Sequence, residues 1–133
     1  MKNDYKNAFD RHLADAKLLL KNQRLANADH HYGVAAECAL KALLITQGIP
    51  SQDGEICKHY KAHINALWRK YYAFMQTKNT YPLPLANPFD DWNIDQRYSN
   101  ENNITLTATE NHRKAVEQTI NNIVKKAKLD GVW

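Results

Sequence analysis

The chain has 133 residues, 44% of them apolar, and a formal net charge of +4 with its six histidines counted as neutral. That length fits one domain with one core, and the apolar share excludes wholesale disorder. No run of eighteen apolar residues occurs, which excludes a helical membrane span.

The opening MKNDYKNAFD has neither an apolar signal core nor a cleavage pattern, so the expected location is the cytoplasm. Cys38 falls in a helical pattern and Cys57 in a loop; two cysteines without a repeated spacing form no disulfide framework and suit a reducing compartment. The mild basic excess permits a phosphate-rich partner without requiring one.

Helical spacing predicts a first helix over Asp4 to Asn22, with Phe9, Leu13, Ala16, Leu19 and Leu20 on its apolar face and Arg11, Lys17 and Lys21 in solvent. A short link around Asn22 to Asn27 favours an antiparallel hairpin with the next helix. That second helix, Ala26 to Gly48, is the centre of the predicted fold. Tyr32, Ala35, Ala36, Ala39, Leu40 and Leu43 form one broad stripe, and its alanines let a neighbour come close. Glu37 and Lys41 stand four apart, acid first, the favourable order for a helical ion pair. Gly48 and Pro50 mark its end. Ser51 to Glu55 reads as loop. A third helix starts near Lys58 to Ala62 and runs to about Thr77, with Ile64, Leu67, Trp68, Tyr71, Tyr72 and Met75 on its apolar side. Its Trp68-Arg69-Lys70-Tyr71-Tyr72 run reads as core residues with a solvated basic flank; a stacking surface for nucleic acid is the alternative.

Lys78 to Leu106 breaks the helical pattern. Its three prolines exclude a continuous helix, and a loop of this length in a compact chain is usually functional or disordered. Tyr81, Leu83, Leu85, Phe89, Trp92, Ile94 and Tyr98 argue against disorder, so the segment is expected to pack over the helices with Phe89 and Trp92 as anchors. The last helix has a start signal in Thr107 with Glu110, a capping box, with Thr109 as the alternative cap. Ala115, Val116, Ile120, Ile123, Val124 and Ala127 give its apolar face; Lys125, Lys126 and Lys128 complement its C-terminal dipole, and Gly131 ends it. The expected fold class is all-α: an up-and-down bundle of four or five helices with one long structured loop before the last helix.

The most site-like stretch is Arg97-Tyr98-Ser99-Asn100-Glu101-Asn102. An arginine offers a fixed fork of donors that suits phosphate. Local pairing of Arg97 with Asp90, Asp91 or Asp95 is the competing reading. His59 and His63, four apart, could share a helix face beside Cys57, but no second ligand pair has matching spacing, so neither a metal nor a cofactor is expected. His30 and His31 are adjacent and point different ways on a helix.

Several pieces, in order along the chain, resemble the HEPN domain, a helical family often found in toxin–antitoxin pairs: Phe9, His12-Leu13 and Ala16; Gly33, Ala36-Glu37, Ala39-Leu40-Lys41 and Leu43-Leu44; His63 with Leu67; and Trp92 followed by Arg97-Tyr98. The resemblance implies an up-and-down bundle, commonly a homodimer, and an RNA- or nucleotide-binding role, with a nucleotidyltransferase-type antitoxin as partner. Many members are metal-independent RNases whose motif is an arginine followed, four to six residues later, by a histidine. Arg97 matches the arginine, but Asn102, Asn103 and Ile104 stand where the histidine belongs, and the next histidine is His112. An asparagine cannot shuttle protons near neutral pH. The resemblance therefore points to Arg97, Tyr98 and Asn102 as ligand contacts, helped by Lys41, with Glu37 orienting Arg97 and His63 at the start of the third helix. Weak RNA cleavage with a displaced histidine (His30, His31, His59 or His63) and a non-catalytic protein-interaction domain are the alternatives.

Overall fold

The computed structural model describes the whole chain, Met1–Trp133. Helix α1, Tyr5–Lys21, is capped by Asp4, whose carboxylate accepts the Asn7 N–H at 3.0 Å. It buries Phe9, Leu13 and Ala16. The chain reverses through Gln23, which takes a positive φ of 60°, into α2, Leu25–Thr46. The two helices run antiparallel, so His12 meets His31 across the pair. Helix α2 is the hub of the fold. Tyr32, Ala35, Ala36, Ala39, Leu40, Leu43 and Leu44 are buried, and α1, α3 and the last helix all pack on it. Small alanine side chains allow contact on several sides at once, which is why one helix can sit inside the others. It stops before Gly48, whose φ of 106° few other residues tolerate.

The Ser51-to-Glu55 segment is more ordered than a loop. Strand β1, Ser51–Gln52, pairs antiparallel with β2, Glu55–Ile56. Asp53 and Gly54 between them take positive φ values of 51° and 77°, as a two-residue hairpin turn demands. This minimal hairpin is an addition to the all-α expectation. Lys58–Tyr60 is a separate 3-10 turn, and α3 spans Ile64–Lys78 with His63 as its N-cap residue. The third helix therefore starts later than the sequence suggests, and His59 and His63 do not share a helical face.

The proline-rich segment from Asn79 to Thr105 packs on the bundle. Phe89 and Trp92 are fully buried and Tyr81 and Leu83 nearly so, whereas Leu85 and Tyr98 are exposed. Indole and phenol groups fasten it: Tyr71 Oη donates to the Tyr81 carbonyl at 2.8 Å, Trp68 Nε1 to that of Pro84 at 3.0 Å, and Trp92 Nε1 to that of Asp29 at 3.1 Å. The segment contains two 3-10 turns, Ile94–Tyr98 and Glu101–Asn103. The last helix is continuous but not uniform. Leu106–Lys114, α4, passes through a π-helical stretch, Ala115–Ile120, into α5, Asn121–Leu129. Within that wider stretch the adjacent Ala115 and Val116 both turn into the core. Its cap is Thr105, whose Oγ1 accepts the Ala108 N–H at 3.1 Å. This corrects the expected Thr107–Glu110 box: Thr109 is buried and donates to the Thr105 carbonyl, and Glu110 binds Arg113 instead. The helices and the packed segment share one apolar core. No helix is long and apolar enough to cross a membrane.

Candidate functional site

Trp92 seats the proline-rich segment on α2. Its indole lies against Gly33 so closely that a Cβ there would stand 2.1 Å from Trp92 Cε2. Glycine is thus required at 33 by contact with the ring. Beside the indole is a buried polar network. The Asp29 carboxylate, on α2, meets His112 Nδ1 at 2.5 Å and accepts from Gln96 Nε2 at 2.5 Å. The other ring nitrogen of His112, Nε2, stands 2.7 Å from Asp91 Oδ1. With both carboxylates ionised, each ring nitrogen donates a proton to one of them, the arrangement of an imidazolium. Burial pushes the His112 pKa down, but the hydrogen bonds and charges of Asp29 and Asp91 outweigh it and the net direction is up. Phe89 stacks on the same ring, centroids 4.9 Å apart. Hydrophobic spacing could not reveal this network, because Asp29 and His112 are polar residues far apart in sequence.

The residues of α2 that escape full burial on its flank are Asn27, His30, His31, Val34 and Glu37, at spacings of three and four. They draw one line along the helix. Around its middle, three histidines gather. His30 stacks on Trp92 with planes 15° apart, and its Nδ1 is buried with no hydrogen-bond partner. His31 Nδ1 lies 3.0 Å from His12 Nδ1, so one ring donates and the other accepts. His12 has its pKa lowered by burial and then by His31; His30 is lowered by burial, by His31 and by Arg97. Both therefore favour the neutral base near pH 7.

Arg97 and Tyr98 lie at the end of this line that the N-terminus of α2 forms. Arg97 is exposed and makes no ion pair. The acids thought to compete for it are otherwise engaged or turned away: Asp90 pairs with Arg69 and Asp91 with His112. Asp95 is two residues off in a 3-10 turn, where three residues complete a turn and positions two apart diverge. The guanidinium instead lies over the Tyr98 ring, 4.6 Å from its centroid, and Tyr98 is 77% exposed. A cleft of about 130 Å³ beside Arg97 is lined by Arg24, Asn27, Gln96, Ser99 and Glu101. Asn102 is exposed on the next 3-10 turn, where its N–H donates to Asn100 Oδ1.

The remaining expected site residues sit at the other end of the line. Glu37 accepts from Lys41 Nζ at 2.8 Å and meets His63 Nδ1 at 3.0 Å. Lys41 is buried, with its ammonium also over the Tyr5 ring, so it neutralises Glu37 rather than offering a free cation to a phosphate. The structure therefore divides the expected set in two: Arg97, Tyr98 and Asn102 on the packed segment, and Glu37, Lys41 and His63 together two helical turns along α2 from His30. Glu37 does not hold Arg97: it binds Lys41 and His63 at the opposite end of the line. His59 packs on Tyr60 rather than beside His63, and no group of three or more His, Cys, Asp or Glu side chains is placed to hold a metal ion. The chain matches no protein-family model, no curated protein and no solved structure.

Proposed function

We propose that the chain is a HEPN-like, cytoplasmic module that binds RNA or a nucleotide, and that it works as a homodimer and as the toxin-like member of a pair with a nucleotidyltransferase-type antitoxin. One observation carries the binding role. Arg97 is an exposed guanidinium with no carboxylate partner, lying on an exposed tyrosine ring. That pairing offers a phosphate clamp and a base-stacking face side by side. The segment presenting them is anchored by Trp92 and Gln96 to the buried part of α2, which keeps the pair in place before a ligand arrives. The mild basic charge of the chain fits a phosphate partner.

Fluorescence anisotropy with a short single-stranded RNA tests this. Binding is expected to weaken as salt rises. Arg97→Ala is expected to lower affinity about tenfold or more and reduce the salt slope by about one, without lowering the melting temperature. Tyr98→Ala is expected to cost about 1–3 kcal/mol of binding. Unchanged affinity in Arg97→Ala ends the assignment.

A second reading is metal-independent RNA cleavage, with Arg97 steadying the phosphate and a histidine of the α2 line taking the 2′-hydroxyl proton. The observation favouring it is His30, a neutral imidazole within electrostatic reach of Arg97 and backed by the His31–His12 pair. It predicts cleavage in chelator that leaves a cyclic phosphate and is lost in His30→Gln. Intact RNA after incubation with concentrated protein rejects it.

A further inference from the structure

The imidazolium of His112 joins three parts of the fold at one buried point. It belongs to α4, its Nδ1 side meets Asp29 of α2, and its Nε2 side meets Asp91 of the proline-rich segment. Gln96, the residue before Arg97, is tied to the same Asp29 carboxylate, and Phe89 covers the ring face. We infer that His112 is a positioning residue for the Arg97–Tyr98 pair: its positive charge clamps residues 89–98 onto α2, and release of its proton loosens them. This rests on the reading of Arg97 and Tyr98 as the binding pair.

The clamp follows from chemistry. A neutral imidazole has one donor and one bare nitrogen. After deprotonation one of the two carboxylates faces a lone pair, and that contact turns from attractive to repulsive. Asp29 is 98% enclosed and has Gln96 to retain it, whereas the side chain of Asp91 is 60% exposed and can swing into water. The segment therefore opens at Asp91. The charged groups facing His112 are Asp29 from α2 and Asp91 from the segment, and both hold the proton on. The other titrating groups at the site behave oppositely: His12 and His30 have lowered pKa values and change charge on the acid side of an ordinary histidine. Among the groups hydrogen-bonded at this contact, His112 is the one that loses a proton on the alkaline side.

The test follows His112 itself. Long-range proton–nitrogen correlation spectra between pH 5.5 and 9.5 report the ring, and amide hydrogen exchange of residues 89–98, corrected for its intrinsic pH dependence, reports the segment. Expected is a ring protonated at both nitrogens at the acid end of the range, a transition above the ordinary histidine value of 6.5, and exchange that rises with the same midpoint. Asp91→Asn, which keeps the size of this exposed side chain and removes its charge, is expected to move both midpoints down by about one pH unit. RNA affinity is expected to fall along the same curve, by up to about tenfold per pH unit beyond it. A ring transition at or below the ordinary histidine value of 6.5, exchange that is flat across the titration, or a midpoint indifferent to Asp91→Asn overturns the clamp. Flat RNA affinity while exchange rises overturns the positioning role. If no RNA binds at any pH, the Arg97 reading fails, while the ring and exchange data still decide for or against the clamp.

Discussion

Two residues show how single side chains set this structure. Gly33 is fixed by the indole above it rather than by helix geometry. Gly33→Ala places a methyl group inside the Trp92 ring contact, and neither the buried ring nor the helix backbone can give way cheaply. The expected cost is about 1–3 kcal/mol from overpacking, read by urea denaturation; an unchanged midpoint would mean that Trp92 does not sit on Gly33. Arg97 is the second. Its charge stays free because Arg69 and His112 occupy two of the neighbouring acids and the 3-10 turn points the third elsewhere. Sequence spacing made local pairing of Arg97 look natural, since it registers which acids are near but not which other cations reach them first. Arg69 reaches Asp90 from α3, and His112 reaches Asp91 from α4, so the decisive partners are distant along the chain.

At the scale of elements, the helices and several of their ends were legible, whereas the starts of α3 and of the last helix were not. The apolar stripes of α1, α2, α3 and the last helix could be read because 3.6-residue spacing is a local property. The start of the last helix was displaced from Thr107 to Thr105 because several threonines compete and only the extended backbone at Thr105 presents its hydroxyl to a free N–H. The Asp53-Gly54 turn carried its own signal, a dipeptide suited to positive φ, but strands of two residues leave no alternation to notice. The proline-rich segment is the element on which the site depends. Its aromatic anchors were recognisable as such; the polar half of its attachment, through Asp29, Gln96 and His112, was not. Trp92→Ala is expected to cost about 3–5 kcal/mol and, more tellingly, to raise hydrogen exchange across residues 89–98 beyond that in α1. Uniform protection loss throughout the chain would show that the segment and the bundle come apart as one unit.

For the whole molecule, the buried His112 and the half-buried His12 and His30 tie stability to pH in opposite senses. The folded pKa of His112 is raised, so its contribution is complete below about pH 6.5, the unfolded value, and is lost as pH climbs through the folded one. His12 and His30 are lowered, so the folded state resists their protonation and loses stability as pH falls below about 6.5. Thermal melts are therefore expected to show a decline on the alkaline side that disappears in His112→Gln, and an acid-side decline that shrinks in His12→Gln. A melting temperature that keeps rising between pH 7 and 9 in the wild type would contradict the assignment of charge to His112. The mostly helical character of the fold followed from composition and periodicity, because a core of this size needs only the right faces buried. Arg97 and Tyr98 of the candidate site were legible as residue types, but their setting was not, because it forms where the flank of α2 meets a segment with no period at all.

The most direct measurement of the central claim is a backbone amide map of the protein titrated with a short single-stranded RNA in chelator. The account predicts shifts concentrated at Arg97, Tyr98, Asn102 and the His30–His31 turn of α2, with Glu37, Lys41 and His63 little changed, and loss of all of them in Arg97→Ala. Shifts centred on α3 around Arg69 and Lys70, or none at saturating RNA, would contradict it.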